Sequence, residues 1–289
     1  MTATLAVPEA RALRLRRLNL AGGIITALTA LGAVIWFFPI YWGVVTSLKF
    51  EQDVVRPGIH LLPERWTLDA YTFALTQTQI GRWYLNSIVT SIGVTVLVLL
   101  MSAGAGYAIS QLRFPGRRPL WWLILASFMV PIPALIVTHF TLMAGMGLLN
   151  TWAGVILPQL IAPITVIIYK QFFDGVPRDF REAAVMDGAT ELQLLFRLYL
   201  PMNWGITTAL AIITFIGAWN AFLWPFLAVT SESMMNVSVG ITQVNDAVGV
   251  RYARWLAAAT LASLPVALLY LVFQRRVTQA IMLTAGIKG

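Results

Sequence analysis

Apolar stretches without a charged side chain alternate with short polar segments along this chain. The stretches that lack Asp, Glu, Lys and Arg are residues 19–48, 83–112, 119–169, 198–231 and 255–274. A helix needs about 20 apolar residues to cross a bilayer. The stretch 119–169 would extend about 77 Å as a single helix at 1.5 Å per residue, so it is predicted to form two spans.

The turn between these two spans is predicted where glycines and helix-capping residues meet. Gly145 and Gly147 can end the first helix, and Asn150 or Thr151 can cap the second. The pattern therefore predicts an all-α membrane protein with six transmembrane helices.

Basic residues are distributed unequally between the two sides of these spans. Fourteen of the 20 Lys and Arg residues lie in the N-terminal segment, the 111–118 and 170–197 connections and the C-terminal tail, and six lie on the alternate side. Cytoplasmic loops of membrane proteins carry an excess of basic residues. Both termini are therefore expected in the cytoplasm.

Composition agrees with a membrane protein and excludes several other classes. The chain is 58% hydrophobic and 11% charged, whereas a soluble domain carries about 25% charged residues. It contains no cysteine, and His60 and His139 are its two histidines, so Cys-ligated and His-rich metal sites are excluded. Cytoplasmic loops account for the net charge of +8, and no nucleic-acid partner is expected.

The predicted spans contain neither an ion site nor a reaction centre. All 12 acidic residues lie outside the spans, whereas ion-coupled carriers usually hold their ion with an intramembrane carboxylate. No lysine stands in a phosphate-binding loop, and Gly104-x-Gly106 indicates close helix packing instead. Energy must come from outside the chain, unless the protein is a passive pore, a scaffold or a carrier without carboxylate ligands.

A charged island at residues 174–201 is predicted to form two short helices. Pro177 suits the first helical turn, and Gly188 can end that helix in a left-handed conformation. Thr190 and Gln193 match a capping box for the second helix, which is expected to end at Pro201, where span five begins.

Physical reasoning alone leaves two interpretations of this island open. Its apolar side, with Phe180, Ala183 and Ala184, would suit a knob that docks into a groove of another protein. It would equally suit an amphipathic helix pair at the membrane interface.

The spacing within the island resembles a known motif. Glu182-Ala183-Ala184 is followed after three residues by Gly188, and after nine more by Leu198-x-Leu200-Pro201. This resembles the EAA loop of permease subunits of binding-protein-dependent ABC importers. Asp187-Gly188-Ala189 also matches that loop.

Other segments resemble the carbohydrate-uptake branch of this family, and specifically its second maltose- and glycerol-phosphate-type permease subunit. They are Asn86-Ser87, Gly106-Tyr107-Ala108 and residues 112–116, 147–151, 219–225, 274–276 and 283–289. The resemblance implies a type I ABC importer permease fold. Its divisions would be a basic N-terminal segment (1–18), a transmembrane domain (19–276) with an extracytoplasmic loop (49–82) and a cytoplasmic coupling loop (171–200), and a tail (277–289).

The resemblance also implies roles and partners. Glu182 would make a polar or ionic contact with an ATPase subunit, Ala183 and Ala184 a close-packed face, Asp187 and Gly188 the turn, and Pro201 the attachment to span five. The expected partners are a homologous second permease subunit, two ATPase subunits, an extracytoplasmic solute-binding protein, a sugar-like solute and membrane lipid. ATP and magnesium would bind to the ATPase partner, and this chain would hold no cofactor.

By the same resemblance the chain is a multi-pass protein of the bacterial plasma (inner) membrane and not itself an enzyme. Its tail from Gln279 is a further candidate contact with the ATPase dimer.

The solute path is expected where helices are broken. Pro131, Pro133, Pro158, Pro163 and Pro225 interrupt spans three to five, and irregular backbone at membrane depth must line a cavity or be buried in protein. The candidate path residues are Gln159, Asn220, Trp219 and His139, although each would also suit contacts between helices. A charge-free lining favours a neutral sugar. The alternatives are a glycerol-phosphate-like or sulfonated sugar, or a secondary carrier.

Overall fold

The computed structural model describes residues 7–58, 60–244 and 251–284, which contain helices and no β-strand. The helices are α1 (Val7–Ser47), α2 (Glu51–Val54), α3 (Asp69–Gln77), α4 (Ile80–Gln111), α5 (Arg117–Phe128), α6 (Ile136–Gly145), α7 (Trp152–Ile156), α8 (Pro163–Asp174), α9 (Arg178–Met186), α10 (Glu191–Gln193), α11 (Leu200–Met202), α12 (Trp204–Trp219), α13 (Leu223–Ala228), α14 (Val237–Gly240) and α15 (Tyr252–Thr284). Short 3-10 segments cover Ile132–Leu135, Leu157–Leu160, Glu232–Met234 and Ile241–Gln243, and Leu194–Tyr199 is π-helical.

Three of these helices are long and apolar enough to cross a membrane unaided. They are α4 and the segments Gly22–Ser47 of α1 and Tyr252–Gln274 of α15. Three bent helix pairs pass the same test when each pair is combined: Arg117–Phe128 with Ile132–Gly145, Trp152–Leu160 with Pro163–Asp174, and Glu191–Met202 with Trp204–Trp219. Counting each pair as one span gives the predicted six. In the third pair α12 is the apolar part, and residues 191–201 belong to the charged island.

Proline accounts for two of the three bends. The pairs are bent by 97°, 52° and 85° in chain order. Pro131 is extended just before the first 3-10 segment, and Pro163 begins α8. Proline has no N–H to donate and disfavours helical geometry in the residue before it. The prediction that Pro131 and Pro163 interrupt their spans is confirmed.

Span five is shorter than its apolar sequence indicates. The charge-free stretch 198–231 contains α12, which ends at Trp219, and then a break before α13. Ala228 and Val229, after the break, are buried within a protein core. The charge-free stretch therefore extends beyond the helix of span five, because its last part is buried against protein.

The helix α4 is the central element of the bundle. It packs along α8 and α12, while α1 packs against α15. One core cluster surrounds the start of α4 and includes Trp83, Trp219 and Val237. A second surrounds its end and includes Tyr107, Phe173 and Tyr199. The end of the bundle with the second cluster carries the connections 112–116 and 175–177 and the segment 178–203, and is called the basic end here after Arg113, Arg178, Arg181 and Arg197.

Close packing of α4 on α8 depends on Gly106. A Cβ atom at this position would lie 2.8 Å from Cβ of Tyr169 and 3.0 Å from the backbone nitrogen of Lys170. A Cβ atom at Gly104 would meet nothing within 4 Å. The predicted packing role of this Gly-x-Gly sequence is therefore confirmed for Gly106.

We expect Gly106→Ala to separate α4 from α8. Overpacking of this kind costs about 1–3 kcal/mol of unfolding free energy. The matched control is Gly104→Ala, which should leave stability unchanged or raise it by up to about 1 kcal/mol, because alanine is the better helix former. Denaturant titration of the purified variants measures both values. Equal stability of the two variants would contradict this account of the α4–α8 contact.

Candidate functional site

The charged island forms an exposed helix pair at the basic end. This helix pair comprises residues 178–202, from α9 to α11. Gly188 has φ +79°, and its N–H donates to the carbonyl of Val185 while that of Ala189 donates to the carbonyl of Ala184, both at 3.0 Å. These two bonds form a Schellman motif. The predicted left-handed helix end at Gly188 is confirmed.

The second helix begins with the predicted capping box. The backbone N–H of Thr190 donates to Oε1 of Gln193 at 2.8 Å, and the backbone N–H of Gln193 donates to Oγ1 of Thr190 at 3.4 Å. This reciprocal arrangement satisfies two backbone donors that the helix would otherwise leave unpaired. The Schellman motif at Gly188 and the capping box at Thr190 together fix the direction of α10 relative to α9.

The predicted coupling residues differ in exposure. Glu182, Ala183 and Asp187 are exposed, and the carboxylate of Glu182 has no hydrogen bond or ion pair within the described part of the chain. Ala184 is half-buried against the protein's own core. The two alanines therefore do not form one outward face, since α9 turns the second toward the bundle.

Large apolar side chains add to the exposed surface of the helix pair. Met186 is 84% exposed and Leu192 is 69% exposed, and Phe180 and Phe196 are each half exposed. Exposed apolar patches of this kind mark contacts with other proteins or with membrane.

The attachment of the helix pair to span five lies at Pro201. Pro201 is exposed within α11, two residues before the 85° bend at Asn203. Pro177 caps α9 and does not lie in its first turn, because the helix begins at Arg178.

An ion pair that the sequence analysis did not identify joins the two halves of the helix pair. Nη2 of Arg181 donates to Oε1 of Glu191 at 2.7 Å. The hydroxyl of Tyr107 on α4 donates to the other oxygen of the same carboxylate. Sequence spacing gave no signal for this contact, since Tyr107 and Glu191 lie 84 positions apart.

Polar side chains also organise the opposite end of the bundle. Asn86 is 1% exposed; its Nδ2 donates to the carbonyls of Ser233 and Met235, both at 2.9 Å. Its Oδ1 accepts a hydrogen bond from the indole of Trp152 at 3.0 Å. The Ser87 hydroxyl accepts the backbone N–H of Val237 at 2.8 Å. The Asn86-Ser87 motif therefore fastens the segment after span five to the start of α4.

A second clamp comes from Asn150 in the turn between spans three and four. Asn150 has φ +57°, and its Oδ1 accepts the backbone N–H groups of Thr230 and Ser231, each at 2.8 Å. The next residue, Thr151, caps α7 by accepting from the backbone of Gly154 at 3.0 Å. Of the two capping candidates, Thr151 is the cap and Asn150 is the clamp.

The four candidate path residues do not form one connected polar cluster in the described structure. Trp219 is 2% exposed and donates its indole N–H to the carbonyl of Ala262 at 3.1 Å, so a solute has no access to its ring in this conformation. Gln159 donates to the carbonyl of Val155 at 2.9 Å. His139 is half-buried edge-on to Trp224, and Asn220 is exposed at the end of α12. No hydrogen bond or ring contact joins any two of them in the described structure.

The sequence matches one family model over most of these elements. Residues 101–282 match the family described as the binding-protein-dependent transport system inner membrane component. The chain belongs to this family. The matched range begins within α4 and includes the helix pair and spans three to six.

Relatives and a solved structure agree with this membership. The arabinooligosaccharides transport system permease protein AraQ of Bacillus subtilis is 32% identical over 89% of this chain and 92% of its own length. The diacetylchitobiose uptake system permease protein NgcG of Streptomyces coelicolor is 33% identical over 88% and 85%. A chain of a bacterial ABC transporter involved in the import of the acidic polysaccharide alginate matches with a TM-score of 0.77 and 23% identity, over 95% of this chain and 99% of that one.

These findings confirm the family and the fold predicted from the sequence. The chain is a multi-pass inner-membrane permease component with the type I importer permease fold, and it works with a solute-binding protein. Its family is one of transport components and not of enzymes.

We expect Asn86→Leu to destabilise the protein. The change leaves the buried carbonyl of Met235 and the indole N–H of Trp152 without their partner, at about 1–3 kcal/mol for each such group. The carbonyl of Ser233 keeps Nε of Arg82 as a donor at 3.4 Å. Asn220→Leu is the matched control, because it makes the same chemical change at an exposed side chain. Thermal melts of the purified variants should show a lower midpoint for Asn86→Leu alone. A midpoint that both variants share with the wild type would disprove the anchoring role of Asn86.

Proposed function

We propose that this chain is one of two permease subunits of an ATP-driven carbohydrate importer and forms half of its translocation path. Support for the solute class comes from the relatives, whose names refer to arabinooligosaccharides and to diacetylchitobiose. The candidate path residues Gln159, Asn220, Trp219 and His139 include no carboxylate, lysine or arginine. Such a lining suits a neutral polyhydroxy solute that is recognised through hydrogen bonds.

The helix pair is the proposed seat of an ATPase subunit. Glu182 offers an unpaired carboxylate for a polar or ionic contact, and Ala183 leaves room for close approach. Ala184 fixes α9 to the bundle, which revises the role implied by the family motif. Asp187 and Gly188 form the turn, and Pro201 leads into span five.

The remaining partners are assigned from the orientation of the chain in the membrane. The basic end faces the cytoplasm with both termini, in accordance with its excess of Lys and Arg. A solute-binding protein docks at the opposite end, and a homologous second permease subunit completes the path. ATP and magnesium bind to two ATPase subunits. The tail from Gln279 is a further contact with them, and its last residues, 285–289, lie outside the described structure.

One observation carries the proposal. The helix pair projects from the bundle with an unpaired acid and exposed apolar side chains, yet a Schellman turn, a capping box and the aromatic core beneath hold it in a defined shape. A surface that only solvated the protein would need neither this shape nor these apolar groups. Rigid-body movement of such an element can bias a two-state transporter.

We expect Gly188→Asp to abolish ATP-dependent uptake while membrane insertion persists. An aspartate at φ +79° strains the turn, because side chains other than glycine rarely adopt this conformation, and it places a charge on the docking surface. Uptake of solute into proteoliposomes that contain the complete complex measures the effect.

Gly116→Asp provides the matched control for this variant. Gly116 also has a positive φ of +85°, is open to solvent and lies at the basic end, but outside the helix pair. Uptake should survive in Gly116→Asp. Normal uptake by Gly188→Asp, or equal loss in both variants, would refute the coupling role of the helix pair.

We also expect a neutral oligosaccharide to be the preferred cargo. The assembled complex should hydrolyse ATP fastest when its binding protein carries such a sugar. Binding protein loaded with a sugar phosphate or a sulfonated sugar should stimulate ATP hydrolysis less. The reverse order would replace the neutral solute with an anionic one and leave the importer assignment intact.

A further inference from the structure

A polar connection joins the helix pair to the middle of the bundle through α4. The carboxylate of Glu191 binds Arg181 with one oxygen, at 2.7 Å, and accepts the hydroxyl of Tyr107 with the other. Arg181 belongs to α9, Glu191 begins α10, and Tyr107 lies one turn before the end of α4. One carboxylate therefore ties together both halves of the helix pair and the central helix.

A second contact repeats the connection one turn further along α4. The hydroxyl of Tyr199, in the π-helical segment, donates to Oε1 of Gln111 at 2.8 Å, and Nε2 of Gln111 donates to the carbonyl of Phe173 at 3.1 Å. Residues 107 and 111 lie on the same face of α4, because positions four apart in a helix are neighbours. The helix pair therefore meets α4 along one face, at two successive turns.

Aromatic packing makes this junction stiff. The rings of Tyr107 and Tyr199 meet edge to face with centroids 5.1 Å apart, and those of Phe173 and Tyr199 do so at 5.5 Å. Phe173 and Tyr199 have no exposed surface. Dense interiors of this kind move as rigid units.

The covalent route from the helix pair into the membrane is less direct. The pair ends with the π-helical segment and α11, and an 85° bend separates it from α12. Residues at the ends of such elements are where hinges absorb rotation. Movement of the helix pair can be absorbed by rotation at that bend before it reaches α12. It cannot be lost in the same way through α4, whose contacts with the helix pair are direct.

The ion pair between Arg181 and Glu191 contributes little to the free energy of unfolding. The side chains of Arg181 and Glu191 are 28% and 48% exposed, and exposed ion pairs are worth about 0–1 kcal/mol. Orientation of the helix pair relative to α4 is a better account of its presence than stabilisation of the fold.

We propose that Tyr107, Glu191 and Arg181 are positioning residues that transmit movement of the helix pair to α4. This inference rests on the proposed function of the helix pair as the ATPase seat. These residues touch neither solute nor nucleotide. They set how much of the motion imposed by the ATPase subunits reaches the transmembrane helices.

The experiment measures the number of solute molecules transported for each ATP hydrolysed, in proteoliposomes that contain the complete complex. Tyr107→Phe removes the hydroxyl and keeps the ring, and Glu191→Gln removes the charge that pairs with Arg181. Each variant should lower this ratio by about fivefold, the lower end of typical coupling between sites. Misfolding would instead lower transport and ATP hydrolysis in proportion.

The matched control is Tyr84→Phe. Tyr84 lies on the same helix, at the opposite end, and its hydroxyl also donates to a distant group, the carbonyl of Leu261. The ratio should stay at the wild-type value in this variant. A double variant of Tyr107→Phe with Glu191→Gln should lose no more than the stronger single variant, because both changes break the same tie.

The results separate this inference from the proposed function beneath it. An unchanged ratio in Tyr107→Phe and Glu191→Gln would overturn the positioning role, even if Gly188→Asp abolishes uptake. Equal reduction in Tyr84→Phe would overturn it as well. Normal uptake by Gly188→Asp would instead remove the proposed ATPase seat itself.

Discussion

The close contact between α4 and α8 is the constraint on which the rest of the structure depends. Gly106 lets the two backbones approach within a distance that no Cβ atom would allow. Small residues at such positions drive helix association in membranes, where lipid offers no hydrophobic advantage to burial. With α4 fixed against α8, its two ends present Asn86 and Tyr107 at opposite sides of the bundle, and each side chain organises the polar segments around it.

The polar clamps described above lie at these two ends of the bundle for a physical reason. Backbone and charged groups inside a bilayer need protein partners, since lipid supplies none. At the opposite end, Asn86 and Asn150 satisfy the irregular segment after span five. At the basic end, Glu191 and Gln111 satisfy tyrosine hydroxyls that approach from different elements. Between these ends the described part of α4 carries hydroxyl side chains but no charged one, so no ion pairs on this helix connect the two ends.

Features set by neighbouring residues could be predicted from the sequence, and features set by distant residues could not. The turn at Gly188 and the capping box at Thr190 each depend on a few consecutive positions, and both were predicted correctly. The bends at Pro131 and Pro163 follow from the chemistry of one residue. By contrast, Asn86 and Ser233 lie 147 positions apart. An apolar sequence also does not distinguish burial against lipid from burial against protein, so the charge-free stretch 198–231 does not show where the helix of span five ends.

The same distinction between neighbouring and distant residues explains which parts of the candidate site could be predicted from the sequence. The family motif singled out Glu182, Gly188 and Pro201, residues on or beside the outer surface of the helix pair, because their spacing along the chain is regular. The motif assigned Ala183 and Ala184 to the same close-packed face. In the structure Ala184 is half-buried toward the bundle and Ala183 is exposed. The inner surface of the pair, where Glu191 meets Tyr107, has no regular spacing and depends on tertiary structure. The proposed coupling role uses both surfaces: an outer one that would contact the ATPase subunit, and an inner one that contacts the central helix.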